Sequence, residues 1–231
     1  MTTALLAASS AAREYKIGVL SDIHLNDVYS ASLPASQYCS PQIKEGKVNE
    51  TADVLAYFGR PSCDSSFDLI DRAMAKLAAD KPDFVLVPGD LIGHVIAAKL
   101  DEGLTDAQLT ERYTRLRNIY KTLADLFKKH FADSVVLGAF GNNDSQYHYQ
   151  PAFGSGKGAF YDYVYKLWFT DHPANSRLTN LVDIKTTMQE GGWYRASLVP
   201  DKLTLLSFNS LQYGDRNKQG EDGAELDWLE A

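Results

Sequence analysis

The hydrophobic positions of the chain alternate between short continuous runs and runs with helical spacing, an order typical of strands alternating with helices. The clearest helical run has apolar side chains three or four residues apart along one face: Leu109, Tyr113, Leu116, Tyr120, Leu123 and Phe127. Thr105 and Gln108 have the spacing of a capping box before it, and Lys128, Lys129 and His130 follow it, where the helix dipole favours cations. The pattern predicts one long amphipathic helix with His130 capping its C-terminal end.

Further helical segments are predicted on both sides of this helix. One begins at Phe67, where apolar residues recur three or four apart and either Ser65 or Ser66 is available as the N-cap. A less regular helical segment covers residues 160–168, and residues 223–231 have the pattern of a helix that is only beginning.

Short apolar runs predict three buried strands at residues 16–20, 83–87 and 134–140. Residues 193–198 and 203–208 face each other across a Pro-Asp pair, as the two strands of a hairpin do. The order is therefore strand, helix, strand, helix, strand, helix, hairpin. This order indicates an α/β fold with a largely parallel sheet covered by helices and an antiparallel addition.

A polar stretch at residues 26–65 separates the first strand from the first helix and is too long for an ordinary connection. It contains both cysteines, Cys39 and Cys63, which are either a disulfide or two unrelated thiols. Asn49 begins a glycosylation acceptor sequence in the same stretch. Together these features favour an oxidising compartment.

The composition is that of a globular protein, with 231 residues, 45% of them hydrophobic, and a formal charge of -7. We predict one domain over residues 16–231, preceded by residues 1–15 as a flexible lead or a remnant of a signal peptide. The acidic balance argues against capture of a nucleic-acid backbone. No stretch approaches the roughly 18 to 20 apolar residues of a membrane span.

Each predicted parallel strand runs into polar residues that can bind metal. Asp22 and His24 follow the first strand and, two apart on an extended chain, would leave the same face and chelate one ion. Asp90 follows the second strand and can bridge to another ion, for which Asn142 after the third strand offers an amide oxygen. Carboxyl ends of parallel strands meet at one edge of a sheet. Two divalent ions about 4 Å apart can polarise a phosphate and generate hydroxide from a bridging water.

These residues also carry a family resemblance. Ser21-Asp22-Ile23-His24, Gly89-Asp90 and Gly141-Asn142 resemble, in order and spacing, the first three motifs of the calcineurin-like metallophosphoesterases. Three further features are similar to the acid sphingomyelinase-like branch: the Cys63-Asp64 loop end, His94 four residues after Asp90, and the strand at residues 206–210.

The resemblance implies a site as well as a reaction. Asp22 and His24 would ligate the first ion, Asp90 would bridge the two ions, and Asn142 would ligate the second. His94 would face the substrate phosphate as the catalytic side chain, and a hydroxide held between the ions would attack. The implied substrates are phosphodiesters, either small molecules or lipid headgroups, with polyphosphate as the alternative.

The same resemblance implies a four-layer αββα sandwich, here incomplete at the C-terminus, which holds two divalent ions. Zinc is the expected metal, with manganese or iron as alternatives. A disulfide between Cys39 and Cys63 and a secreted, lysosomal or vacuolar location are also implied.

One departure from the family pattern is Asn143, which stands where members usually have a histidine that contacts the phosphate or protonates the leaving group. An amide can donate a hydrogen bond to the phosphate but cannot act as a general acid at neutral pH. The Gly-Asn-Asn-Asp form resembles fungal endopolyphosphatases of the same branch, which gives the second functional hypothesis. His94 could supply the proton instead.

A second departure is larger, because family members complete the site with a further histidine and a Gly-His-x-His motif that this chain does not contain. His148 and His172 are the alternatives for a substitute ligand. We therefore expect an incomplete family domain that holds metal weakly and turns over little on its own. An inactive remnant that binds a partner through an exposed sheet edge is the third hypothesis.

Two features have a structural interpretation beside a functional one. The aromatic segment over residues 147–165 is expected to pack, with a platform for a base or lipid headgroup as the alternative. Asp144 either orients a site residue or caps the next segment. Arg195 and Asp215 are expected on the surface.

Overall fold

A computed structural model describes residues 13–30, 58–60, 63–94, 96–214, 216–217 and 223–231. Its first sheet contains three parallel strands in the order β1 (Ile17–Val19), β2 (Phe84–Val87) and β3 (Val135–Gly138). Val85 in β2 pairs with Gly18 on one side and with Val136 on the other. The predicted parallel sheet is thereby confirmed.

Two helices connect these strands. Helix α1 (Phe67–Ala78) begins at Ser66, whose side chain accepts the Leu69 N–H at 3.2 Å. Helix α2 (Asp106–Phe131) begins at Thr105 with the predicted capping box, and its buried side chains join the core. Helix α1 packs against α2. These local signals were readable in the sequence because capping depends on residues only three positions apart.

His130 does not cap α2, contrary to the expectation from its position in the last turn. Its Nε2 lies 2.6 Å from Oδ1 of Asp71 in α1, and Lys129 Nζ lies 2.7 Å from the same oxygen. The hydrogen bond from His130 is the main reason that the pKa of Asp71 is lowered. A partner on a neighbouring helix has therefore replaced the carbonyl groups at the helix end.

The C-terminal half adds helices and an antiparallel pair. The elements are α3 (Lys157–Tyr165) with a π-helical turn (Lys166–Thr170), α4 (Leu181–Gly191), β4 (Tyr194–Val199), β5 (Leu203–Ser207) and α5 (Ala224–Glu230). The predicted hairpin is β4 and β5, which pair antiparallel. The Tyr194 hydroxyl donates to the Gly138 carbonyl at 2.6 Å and so ties the hairpin to the end of β3. Helix α4 was not predicted.

The core contains an aromatic cluster beneath the loops that follow β3. Phe140 lies in ring contact with Phe160, Tyr161 and Trp168, at centroid distances between 5.3 and 5.9 Å. Phe160 and Tyr161 are buried, as expected for packing residues. This cluster supports the segment from which Asn142 and Asn143 extend.

Strand β1 is less buried than its apolar sequence predicts. Ile17 is 55% exposed and Val19 57% exposed, whereas Gly18 is buried against Leu77 of α1. Within the described residues β1 is an edge strand that pairs only with β2, and its face with Ile17 and Val19 is not covered by another described element.

Several predictions fall outside the described residues: Cys39, Asn49, Asp215 and most of the stretch at residues 26–65. The disulfide between Cys39 and Cys63 therefore stays a prediction. Arg195 is exposed, as expected. Among the described helices, none combines the length and apolar character needed to cross a membrane.

Candidate metal centre

The loops after β1 and β2 run side by side beyond the sheet. The Asp22 N–H donates to the Gly89 carbonyl at 3.3 Å, and the His24 N–H donates to the Asp90 carbonyl at 2.9 Å. This backbone pairing brings the predicted ligands Asp22, His24 and Asp90 together at one edge of the sheet, which we call the metal rim. One ligand atom from each of Asp22, His24 and Asp90 lies within 4.8 Å of the other two.

The donor atoms of this group suit a divalent ion. His24 Nε2 lies 3.8 Å from Asp90 Oδ2 and 4.0 Å from Asp22 Oδ1. His24 Nδ1 lies 3.0 Å from the Ile92 carbonyl, which can only accept, so the proton belongs on Nδ1 and the Nε2 lone pair faces the carboxylates. These three donors, one imidazole nitrogen and two carboxylate oxygens, would hold a divalent ion bound between them.

The backbone at these positions is not extended, which corrects the expectation for Asp22 and His24. Their φ angles are 55° and 41°, and that of Asp90 is 54°. All three lie in the left-handed region, which costs a non-glycine residue about 1 to 3 kcal/mol when the surroundings enforce it. The side chains still converge, but through a sharply bent backbone instead of a two-residue strand repeat.

Glycines allow the loops after β2 and β3 to touch. Gly89 has φ 120°, and a Cβ there would lie 2.5 Å from the Gly141 nitrogen. A Cβ on Gly141 would overlap the backbone nitrogen and Oδ1 of Asp90. The glycines before Asp90 and Asn142 are therefore required by close backbone approach.

Asp144 clamps the same two loops together. Its Oδ1 accepts the N–H groups of Leu91 at 2.7 Å and Ile92 at 3.1 Å, and its Oδ2 accepts the N–H of Gly141 at 2.7 Å. Asp144 is fully buried, and burial raises the pKa of its carboxyl to about 7 against the lowering effect of these hydrogen bonds. Of the two roles considered for Asp144, the structure shows the orienting one, since it fixes the residues beside Asp90.

The two asparagines after β3 have different surroundings. Asn143 is 1% exposed, and its backbone N–H and side-chain Nδ2 both donate to Asp90 Oδ1, at 3.1 and 3.2 Å. Asn142 is partly exposed, and its Nδ2 donates to Nε2 of His148 at 2.9 Å. Asn143 therefore contacts a predicted ligand, and Asn142 has its amide nitrogen turned toward His148. The metal-binding role of Asn142 and the phosphate-binding role of Asn143 stay predictions.

A second group able to hold metal overlaps the first and comprises His24, Asp64 and His94. The rings of His24 and His94 stack with centroids 4.2 Å apart. Asp64 holds His94, because Oδ1 lies 2.7 Å from Nδ1 and Oδ2 accepts the His94 N–H at 2.9 Å. Sequence reasoning gave Asp64 no role of its own, although its place directly after Cys63 was noted.

The two remaining histidines differ in position. His148 contacts Asn142 at the rim, and its pKa is lowered chiefly by burial and then by the nearby His94. His172 is 3% exposed, accepts the Asn175 N–H at 3.4 Å, and has a pKa lowered to about 4 by burial. Among the described residues, neither joins a group with metal-ligand spacing.

The family model for calcineurin-like phosphoesterases matches residues 15–231, and the chain belongs to that family. The family is one of phosphoesterases, and the described residues of this chain include groups of His and Asp side chains that could hold a metal ion.

Two curated relatives are similar to the chain at low identity. Sphingomyelinase phosphodiesterase C of Dictyostelium discoideum is 24% identical over 216 residues, which cover 91% of this chain and 43% of the relative. Endopolyphosphatase of Neurospora crassa is 26% identical over 186 residues, which cover 72% of this chain and 23% of the relative. The chain spans less than half the length of either.

Proposed function

We propose that the chain forms the site of a metal-dependent phosphodiesterase in which Asp22, His24, Asp90 and Asn142 hold two divalent ions. The observation that carries the proposal is the convergence of three of these side chains beyond β1 and β2, with ligand atoms within 4.8 Å. Bound there, divalent ions would supply Lewis-acid polarisation of a phosphate and activation of water.

The chain's own residues would orient this chemistry. Asn143 donates twice to Asp90 Oδ1, which leaves Oδ2 of that carboxylate directed toward His24. With Nδ1 of His94 engaged by Asp64, Nε2 is the nitrogen left to face a substrate. His94 is 38% exposed along its side chain, so this nitrogen can reach a phosphate or a leaving group. We assign His94 the substrate-facing role on that basis.

Hydrolysis of phosphodiesters such as lipid headgroup esters is the first substrate hypothesis, supported by the sphingomyelinase phosphodiesterase relative. Endopolyphosphatase activity is the second, supported by Asn143 and by the other relative's name. A leaving phosphate needs less protonation than an alkoxide, so loss of a histidine at position 143 is tolerated better with polyphosphate. Release of phosphocholine compared with shortening of long-chain polyphosphate separates the two hypotheses.

The test of the reaction class uses the purified chain with added zinc or manganese. Slow hydrolysis of bis(p-nitrophenyl) phosphate, still above a chelated blank, is expected for the unmodified chain, since it is expected to hold metal weakly. The same slow rate is expected for Asp133→Asn, which changes an exposed carboxylate after α2. Asp22→Asn should reduce hydrolysis to the blank. Equal rates in both variants would contradict the proposal, and a folded chain that neither retains metal nor hydrolyses the diester would favour the non-catalytic hypothesis.

Zinc is the proposed metal, with manganese and iron as alternatives, because one imidazole nitrogen and carboxylate oxygens accept all three. Elemental analysis of the chain purified without added metal tests this.

The proposed oxidising compartment rests on Cys39, Cys63 and the Asn49 acceptor sequence. A mobility shift on reduction and another on deglycosylation would support it, and free thiols in the secreted protein would contradict it.

A further inference from the structure

Arg216 presents an exposed guanidinium group near the metal rim. The guanidinium carbon lies 4.3 Å from the centroid of the Tyr149 ring, and the Arg216 carbonyl accepts a hydrogen bond from Nε2 of the buried Gln150 at 2.7 Å. No carboxylate of the described residues forms an ion pair with it. The cation is therefore held in place by a ring and by its backbone, while its charge stays uncompensated within the described part of the chain.

Tyr149 connects this cation to the predicted ligand Asn142. The Tyr149 N–H donates to the Asn142 carbonyl at 2.9 Å, and the Tyr149 ring lies 4.1 Å from the ring of His148. His148 in turn accepts the side-chain amide of Asn142. Tyr149 has φ 61°, a conformation that a tyrosine adopts only when its surroundings enforce it. Arg216 thus stacks on a residue whose position is fixed relative to the rim.

Lys99 adds a second cation, on the segment that pairs with His148. The Ala98 carbonyl accepts the His148 N–H at 2.8 Å, so Lys99 follows directly from the residue paired with His148. Glu102 accepts the Lys99 N–H at 2.9 Å, and its carboxylate is also paired with Arg112 at 2.7 Å. The Tyr149 ring on which Arg216 stacks also contacts the His148 ring, so both Arg216 and Lys99 neighbour residues that contact His148. Arg216 and Lys99 therefore form a local positive patch, called the flank below, on a chain of net charge -7.

We propose that Arg216, Lys99 and His148 form a subsite for a second phosphate group of the substrate, next to the phosphate held at the Asp22, His24 and Asp90 rim. The inference rests on the proposed function and specifies its substrate class as oligophosphate chains. A guanidinium binds phosphate oxygens in a bidentate manner and keeps its charge at every accessible pH. A choline headgroup carries a positive charge where the subsite already has two, so a choline ester fits this flank poorly.

The experiment compares binding of inorganic tripolyphosphate, orthophosphate and phosphocholine by calorimetry, at a buffered free zinc concentration. Arg216→Gln removes the charge, and Arg195→Gln makes the same change at an exposed site on β4. Circular dichroism checks that each variant is folded. We expect Arg216→Gln to weaken tripolyphosphate binding by about tenfold and to leave orthophosphate and phosphocholine within about twofold, with Arg195→Gln unchanged for all three.

Three results would overturn the subsite: no preference of the unmodified chain for tripolyphosphate over orthophosphate, an equal loss with both phosphates, or an equal loss in Arg195→Gln. Diester hydrolysis by the same preparations separates this outcome from the proposed function. Binding that depends on Arg216 in a chain without hydrolysis supports the subsite and contradicts the hydrolase proposal. Hydrolysis with unchanged tripolyphosphate binding in Arg216→Gln overturns the subsite alone.

Discussion

Asp64 holds His94 at two points, through a 2.7 Å contact with the ring Nδ1 and a 2.9 Å hydrogen bond from the backbone N–H. The Asp64 side chain is only 8% exposed, so water competes little for these contacts. The ring is consequently fixed against the His24 ring, and no hydrogen bond from a described residue occupies its Nε2. A buried carboxylate that orients an imidazole in this way also determines which ring nitrogen carries the proton.

Replacing Asp64 should therefore affect turnover more than substrate binding. We expect Asp64→Ala to lower kcat by about tenfold or more while KM changes by less than about threefold, because the imidazole loses its orientation and its defined tautomer. Asp80→Ala, an exposed carboxylate after α1, is the control. Steady-state kinetics on a phosphodiester check this, and a change confined to KM would contradict a positioning role.

Gly141 provides a test of the close approach between the loops after β2 and β3. A methyl group there would overlap backbone and side-chain atoms of Asp90, so Gly141→Ala should weaken metal binding and destabilise the fold by about 1 to 3 kcal/mol. Gly156→Ala is a matched control, since its Cβ would meet nothing within 4 Å. Metal titration and thermal unfolding measure both effects. Equal behaviour of the two variants would show that the loops are not in contact.

The contact between Asn142 and His148 predicts that His148 affects metal affinity. Since His148 Nε2 accepts the Nδ2 hydrogen, it directs the amide oxygen of Asn142 away from itself and leaves that oxygen for a metal ion. We expect His148→Ala to lower metal affinity by roughly 10 to 100-fold, as loss of a residue that orients a ligand commonly does. His148→Gln, which keeps an acceptor, should recover part of it. His130→Gln, whose histidine pairs with Asp71 between helices, should leave metal affinity unchanged.

The buried His172 gives a prediction for how the free energy of unfolding depends on pH. Burial lowers the pKa of His172 to about 4 from an ordinary value of 6.5. Between those values the unfolded chain binds a proton that the folded chain excludes, so this residue contributes stability above pH 6.5 that is lost as the pH falls toward 4. His172→Gln should flatten the decline in urea midpoint over that window. An equally steep decline in the variant would mean that His172 is not the group responsible.

Those features of the fold and of the metal rim that depend on residues close together in the sequence could be predicted. Polar residues directly after apolar runs identified Asp22, His24 and Asp90, because strands in a parallel sheet direct their C-terminal ends to one edge. Ser66 and Thr105 were recognised as helix caps for a similar reason, since their partners lie three residues away. The fold class followed from the order of these elements.

The residues that support the ligands were harder to find. Asp64 contacts a residue 30 positions away, and Asp144 contacts Leu91 from 53 positions away. Neither distance leaves a periodic signal in a single sequence.

Helix α4 does have a periodic signal, because Leu181, Ile184 and Met188 have helical spacing. The helix is short, however, and its N-cap residue Asn180 makes no side-chain capping bond. Its tertiary contacts with α3 and β4 supply what the local sequence lacks.

The left-handed backbone at Asp22, His24 and Asp90 has a consequence for how mutations at the rim would be distributed. Glycine adopts such angles without steric penalty, whereas a side chain at each position opposes folding by about 1 to 3 kcal/mol. Asp22→Gly should therefore raise the melting temperature while removing a ligand. A mutational scan would find stabilising substitutions concentrated at the positions where activity is lost. The reason is that metal binding requires a side chain at these positions, whereas folding stability favours glycine there.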